Sequence, residues 1–75
     1  MPRRHPVLIA FGLNVRKQRE ARGSTQEALA EKADLDQTYI SGIERGVRNP
    51  SILSIAKIAK ALGVSLSQLT NGIRG

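Results

Sequence analysis

The stretch from Gln26 to Arg45, QEALAEKADLDQTYISGIER, constrains the fold more than any other part of the chain. Leu29, Ala30 and Ala33 form one apolar face at helical spacing, and Ile40 and Ile43 form another. The link between them, Ala33-Asp34-Leu35-Asp36, is polar except for Leu35, so Leu35 is expected to plug the gap between two short helices. Asp36 is placed to cap the second helix by accepting from the free N–H of Thr38 or Tyr39. Ala30, fifth from Gln26, supplies the small side chain that two helices need where they cross at close range.

The flanks read as helices that enclose this pair. Leu8, Phe11, Gly12 and Val15 fall at i, i+3, i+4 and i+7, one face of a helix over roughly residues 6–22. Pro6 suits its first position and Gly23 its end, with Arg22 favourably placed against the dipole. The apolar run behind the basic start is too short for a bilayer span, and no small-residue cleavage site follows, so neither a membrane anchor nor a signal peptide is expected. Either Ser24, in a capping box with Glu27, or Thr25 caps helix two over 26–33. Helix three runs over 37–45 to a stop at Gly46. Ser51 caps helix four over 52–62, whose face is Ile52, Ile55, Ile58, Ala59 and Leu62, with Gly63 ending it. Ser65 and Gln68 form a capping box for helix five over 66–71. Residues 1–5 are expected to be a flexible basic arm, 6–71 one domain, and 72–75 a frayed tail.

Composition narrows the chemistry. The chain has 75 residues, no cysteine and one histidine, His5, so disulfides, thiolate metal sites and a histidine metal cluster are not expected. Its aromatic content is 3%, which requires an aliphatic core of closely packed helices. The net charge of +6 favours an anionic partner. That charge is uneven: residues 1–25 carry +5, residues 26–45 carry −3, and residues 46–75 carry +4. Any grip on phosphate must therefore come largely from the flanks of the acidic helix pair.

The runs Gln26-Glu27-Ala28-Leu29-Ala30, Tyr39-Ile40-Ser41-Gly42-Ile43-Glu44-Arg45-Gly46 and Arg48-Asn49-Pro50-Ser51 resemble the phage-repressor-like (Cro/C1, XRE) helix-turn-helix family. Within it, Thr38 to Glu44 is most similar to the small controller proteins of restriction-modification systems. The resemblance covers about residues 8–70. It implies an all-α, five-helix, λ-repressor-like domain with its helix-turn-helix at helices two and three. Phage repressors of this type are the standard example of such docking, with the second helix in the major groove. Two positions depart from the family pattern: Ser24 stands where an apolar residue is usual, and Asp34 where glycine is frequent. Aspartate tolerates the left-handed conformation such a turn needs.

The resemblance assigns roles residue by residue. Gln37, Thr38 and, one turn on, Ser41 are expected to read bases. Glutamine pairs bidentately with adenine, and threonine offers a hydroxyl and a methyl. An ordinary polar helix surface is the alternative. Gly42, at i+4 from Thr38, carries no reading side chain and is expected to let the helix approach DNA closely, at a cost of roughly 1 kcal/mol relative to alanine. Gln26, Tyr39, Arg45, Arg48 and Asn49 are expected on the DNA backbone, Gln26 also bracing the reading helix and Tyr39 packing its ring while its hydroxyl lies near phosphate. Arg19 and Glu44 match positions that pair in related repressors, an architectural ion pair. Val64, Leu66, Leu69 and Ile73 are the expected homodimer surface.

The function expected from these features is sequence-specific binding of double-stranded DNA by a homodimeric transcriptional regulator on a near-palindromic operator, in the bacterial cytoplasm. No enzyme activity, cofactor, small-molecule ligand or membrane contact is expected. The rival is a protein-interaction module, such as an antitoxin, with DNA binding secondary.

Overall fold

The computed structural model describes residues 4–74. Five helices follow in order: α1 Pro6–Ala21, α2 Gln26–Ala33, α3 Gln37–Glu44, α4 Ile52–Leu62 and α5 Leu66–Leu69. The architecture is all-α, and among the described residues there is no strand.

Local capping chemistry sets the boundaries. Thr25, rather than Ser24, caps α2, accepting from Ala28 N at 3.0 Å. The α2 end turns through Asp34 in the left-handed region (φ 57°, ψ 48°), and Leu35 N returns to Ala30 O at 2.9 Å. Asp36 then caps α3 through a 2.7 Å bond from Thr38 N. Ser51 caps α4, accepting from Ser54 N at 3.1 Å. Around α5 both capping-box bonds form: Gln68 N donates to Ser65 Oγ, and Ser65 N donates to Gln68 Oε1. Each such cap satisfies an amide that the first helical turn leaves without a partner.

The core is aliphatic apart from Phe11. Phe11 and Val15 of α1 meet Leu29 and Ala30 of α2, Ile40 and Ile43 of α3, Ile58, Ala59 and Leu62 of α4, and Leu69 of α5, with half-buried Leu35 packed against it. Gly12 is the point of closest approach between α1 and α3. A Cβ there would strike the Ile43 carbonyl oxygen and lie 2.7 Å from that of Glu44. The two backbones touch, and the end of α3 is thereby held on α1. Gly46 combines positive φ (76°) with a would-be Cβ only 2.9 Å from Ile9 Cα, so no other residue fits that turn without strain.

One expectation is corrected. Ile52, assigned to the buried face of α4, is 69% exposed and Leu53 beside it 73%, because the first turn of α4 projects beyond the core that Ile58, Ala59 and Leu62 occupy. In the expected arm, His5 caps α1, its Nδ1 accepting from Val7 N at 3.1 Å, and Arg4 Nη1 donates to Arg45 O at 2.9 Å. Residues 1–3 of that arm lie outside the described residues. In the expected tail, Ile73 is half-buried against the core, and Gly75 lies outside the described residues.

Candidate nucleic-acid interface

The start of α3 presents two side chains to solvent. Gln37 and Thr38 are both exposed in its first turn, and neither makes a side-chain hydrogen bond among the described residues. Asp36 takes up the Thr38 amide but leaves the Thr38 hydroxyl free. Ser41, one turn on, is half-buried and also unbonded through its hydroxyl. The two faces of the helix are thus divided: Ile40 and Ile43 anchor α3 in the core, and the polar side chains of its first turn remain available.

A buried polar network fixes the other end of α3. The Glu44 side chain is 3% exposed, and that of Arg19 12%. Arg19 Nε donates to Glu44 Oε2 at 2.7 Å, and Arg19 Nη2 to Oε1 at 3.0 Å, a bidentate pair. Gln26 Nε2 adds a third bond to Oε1 at 3.0 Å, and Arg19 Nη1 donates to Ser24 O at 2.7 Å. The Glu44 hydrogen bond raises the Arg19 pKa above its ordinary value, against the opposing effect of burial. One carboxylate therefore ties α1, the entrance of α2 and the end of α3 together. Gln26 has one side-chain amide hydrogen committed to Glu44, so its reach outward is through the backbone N–H groups at the α2 start and the remaining carboxamide atoms.

The α3–α4 loop forms the adjoining wall. Val47 N and Arg48 N both donate to Gly42 O, at 3.0 and 3.2 Å. The Arg48 guanidinium lies over the Tyr39 ring, 5.2 Å from its centroid. The Tyr39 hydroxyl donates to Ser54 Oγ at 3.2 Å and accepts from Ser51 N at 3.4 Å. Tyr39 is half-buried and its hydroxyl bonds to the start of α4. Gly42 is buried, and a Cβ on it would collide with Arg48 Cγ, so glycine makes room for the arginine stem. Arg45 and Asn49 are exposed with no side-chain hydrogen bond among the described residues.

The helix-turn-helix family model matches residues 15–69, spanning α1 from Val15 through α5. The chain belongs to the helix-turn-helix family. Among its relatives is the control protein C.BamHI of Bacillus amyloliquefaciens, 48% identical over 64 residues, covering 84% of this chain and 79% of that one. The restriction-modification controller protein C.AhdI of Aeromonas hydrophila superposes with a TM-score of 0.85 at 42% identity, covering 87% of this chain and 98% of that one. The controller C.Esp1396I, solved as a tetramer in complex with its natural 35 base-pair operator, gives a TM-score of 0.77 at 48% identity, covering 81% and 80%. In this helix-turn-helix protein, α2 and α3 are the two helices of the motif.

The expected assembly residues divide. Leu66 is 42% exposed, and Val64 and Ile73 are half-buried. Leu69 is 0% exposed, enclosed by its own chain, and is removed from the assembly surface. The helical spacing of Leu66 and Leu69 places both on one side of α5, but a single turn lying on the core buries one and leaves the other at the rim. Sequence reasoning also missed Ser51 and Ser54, which hold Tyr39, and the exposed pair Ile52–Leu53. Ser51 was visible as a cap, but its contact with a tyrosine twelve residues earlier carries no local signal. An apolar cavity of about 170 Å³ is lined by Val7, Leu8, Phe11, Asn49, Pro50, Ile55, Thr70 and Ile73.

Proposed function

We propose that the protein is a controller of restriction-modification genes, binding a near-palindromic duplex operator as a homodimer in the bacterial cytoplasm. The observation that carries this reading is the division of polar groups at α3. Gln37 and Thr38 stand free at its exposed end, while Glu44, Arg19, Gln26 and the Tyr39 hydroxyl behind them are bonded inside the domain. Free hydrogen-bonding side chains at the start of a rigidly braced helix are what base reading in the major groove requires. Operator binding by the C.Esp1396I tetramer supports the same use of the shared fold.

In this reading Gln37 and Thr38 specify bases, with Ser41 contributing one turn on. The backbone amides at the start of α2 beside Gln26 hold one phosphate. Arg48, Asn49 and Arg45, with the Ser51 cap, grip the strand on the other side of the groove, and Tyr39 holds Arg48 in place. A single module of this size covers little DNA, so pairing supplies useful affinity, with recognition helices one turn, about 34 Å, apart. The assembly surface joins Leu66, Val64 and Ile73 to the exposed Ile52 and Leu53.

Selection from random duplex oligonucleotides tests this directly. The expected winner contains two inverted half-sites one turn apart, and Gln37→Ala with Thr38→Ala abolishes preference for it while the helical content is unchanged. Recovery of no consensus, or indifference to both substitutions, would place a protein-interaction role first.

A further inference from the structure

Asn14 lies in mid-α1, half-buried, and nothing in the reading above uses it. Its single Nδ2 donates to two carbonyl oxygens, Leu69 O at 2.8 Å and Asn71 O at 3.0 Å. The first acceptor is the last residue of α5, where helical carbonyls lose their partners, and the second lies two residues beyond it. The helix itself has four residues, far too few to persist without tertiary support. Leu69 buries the front of this segment in the core. Beyond it, Thr70 and Asn71 are exposed, Gly72 turns through φ 77°, and Ile73 returns to line the apolar cavity with Val7, Phe11 and Ile55. The Asn71 carbonyl is thus pinned two residues before Ile73, on the far side of a glycine turn.

We infer that Asn14 is the positioning residue of the assembly surface. By holding the Leu69 and Asn71 carbonyls it seats Ile73 at the rim of the cavity formed with Val7, Phe11 and Ile55 and so sets the monomer–dimer equilibrium, while touching neither DNA nor the partner copy. The inference rests on the homodimer reading proposed above. A glycine turn with one apolar residue beyond it has many alternative paths. Without the two bonds Ile73 leaves its seat in a large part of the free monomer population, and association must then order it again.

The test is sedimentation equilibrium of the full chain, with operator binding measured on an isolated half-site and on the complete palindrome. Asn14→Ala is expected to raise the dimer dissociation constant about tenfold, as loss of two neutral hydrogen bonds, one part-buried and one exposed, allows. Half-site affinity stays at the wild-type value and only the advantage of the full site falls. Leu29→Val, a core change on α2, loosens the domain without moving the dimer constant. An equal effect of Leu29→Val would show general destabilisation and overturn the inference. Wild-type dimerisation by Asn14→Ala, with Leu66→Glu monomeric, would overturn it while the homodimer reading stands. Wild-type dimerisation by Leu66→Glu would remove the assembly surface and the inference with it. If Asn14→Ala does not fold, Asn14→Ser, which retains one small donor, is expected to raise the constant by about threefold. A wild-type value for the serine variant would again refute the role.

Discussion

Arg19→Met is the substitution whose cost is best determined by the geometry. Methionine keeps much of the aliphatic stem and removes the guanidinium. Glu44, 3% exposed, would lose its only cation and two of its three hydrogen bonds, retaining Gln26 Nε2 alone. Removing one partner of a buried ion pair costs about 3–5 kcal/mol, because the remaining charge has neither water nor a counter-ion. A domain of this length has roughly 4–11 kcal/mol in total. The variant should therefore lose about a quarter or more of its stability, and at about 4–8 °C per kcal/mol its Tm should fall by about 12 °C or more. Glu44→Gln should cost less, about 1–3 kcal/mol. Its Arg19 is the more exposed partner at 12% and keeps Ser24 O as an acceptor.

The double variant Arg19→Met with Glu44→Leu completes the argument. It removes both desolvation costs together and should recover most of the lost Tm. It does not recover the bidentate geometry that sets α3 against α1, so its operator affinity should remain below wild type even where its melting does not. Thermal denaturation followed by circular dichroism, with operator binding at a temperature where all variants are folded, measures both. If Arg19→Met melts within a few degrees of wild type, the carboxylate is not stranded and the reasoning fails. If the double variant melts as low as the single one, the loss belongs to packing rather than to the unpaired charge.

Other outcomes follow from the same contacts. Gly12→Ala places a methyl group against the Ile43 and Glu44 carbonyl oxygens, which are backbone and cannot move aside, so urea denaturation should show a loss of about 2 kcal/mol or more. Gly42→Ala meets Arg48 Cγ near the root of that side chain, so Arg48 must change rotamer and the helix gain of up to about 1 kcal/mol is offset, while DNA affinity falls as Arg48 leaves the Tyr39 ring. Arg48→Ala should weaken binding to all sequences alike and reduce the salt slope of log K by about 1, as a phosphate contact does. The raised Arg19 pKa means its share of stability is complete below the ordinary arginine value and is lost only above the raised one, so melts between about pH 7 and pH 10 should show no loss from this pair.

Features set by neighbours in sequence were legible in it. Asp36, Ser51 and the Ser65–Gln68 box act over two or three residues, and each caps the helix it was expected to cap. Asp34 adopts the left-handed turn its residue type permits. The Arg19–Glu44 pair spans 25 residues and carries no local signal; it was anticipated only through family resemblance. What failed did so where helical spacing identifies a face but not how far the neighbouring layer extends. Ile52 and Ala59 share a face of α4, and Leu66 and Leu69 a side of α5, yet in each case only the residue over the core is buried. Gly42 shows a related limit. A glycine in mid-helix signals close approach, but whether the approaching group is DNA or Arg48 depends on where the following loop folds back.

The same distinction separates the residues that tolerate change from those that do not. Tyr39 and Gln26 look like contact residues in the sequence, yet the Tyr39 hydroxyl serves Ser54 and Ser51, and Gln26 serves Glu44. Substituting either perturbs the helices that carry the reading face, so a loss of binding at these positions does not identify a contact. Gln37 and Thr38 have no internal partners among the described residues, so on the proposed function exchanging them should alter what is read without altering what holds α3. Specificity should therefore be exchangeable at those two positions without loss of the scaffold. A change such as Gln37→Arg, which replaces an adenine-reading carboxamide with a guanine-reading guanidinium, should shift the selected half-site at one base pair and leave Tm within a few degrees of wild type. A large fall in Tm would show that Gln37 belongs to the scaffold after all. An unchanged consensus would show that α3 does not read bases through this residue.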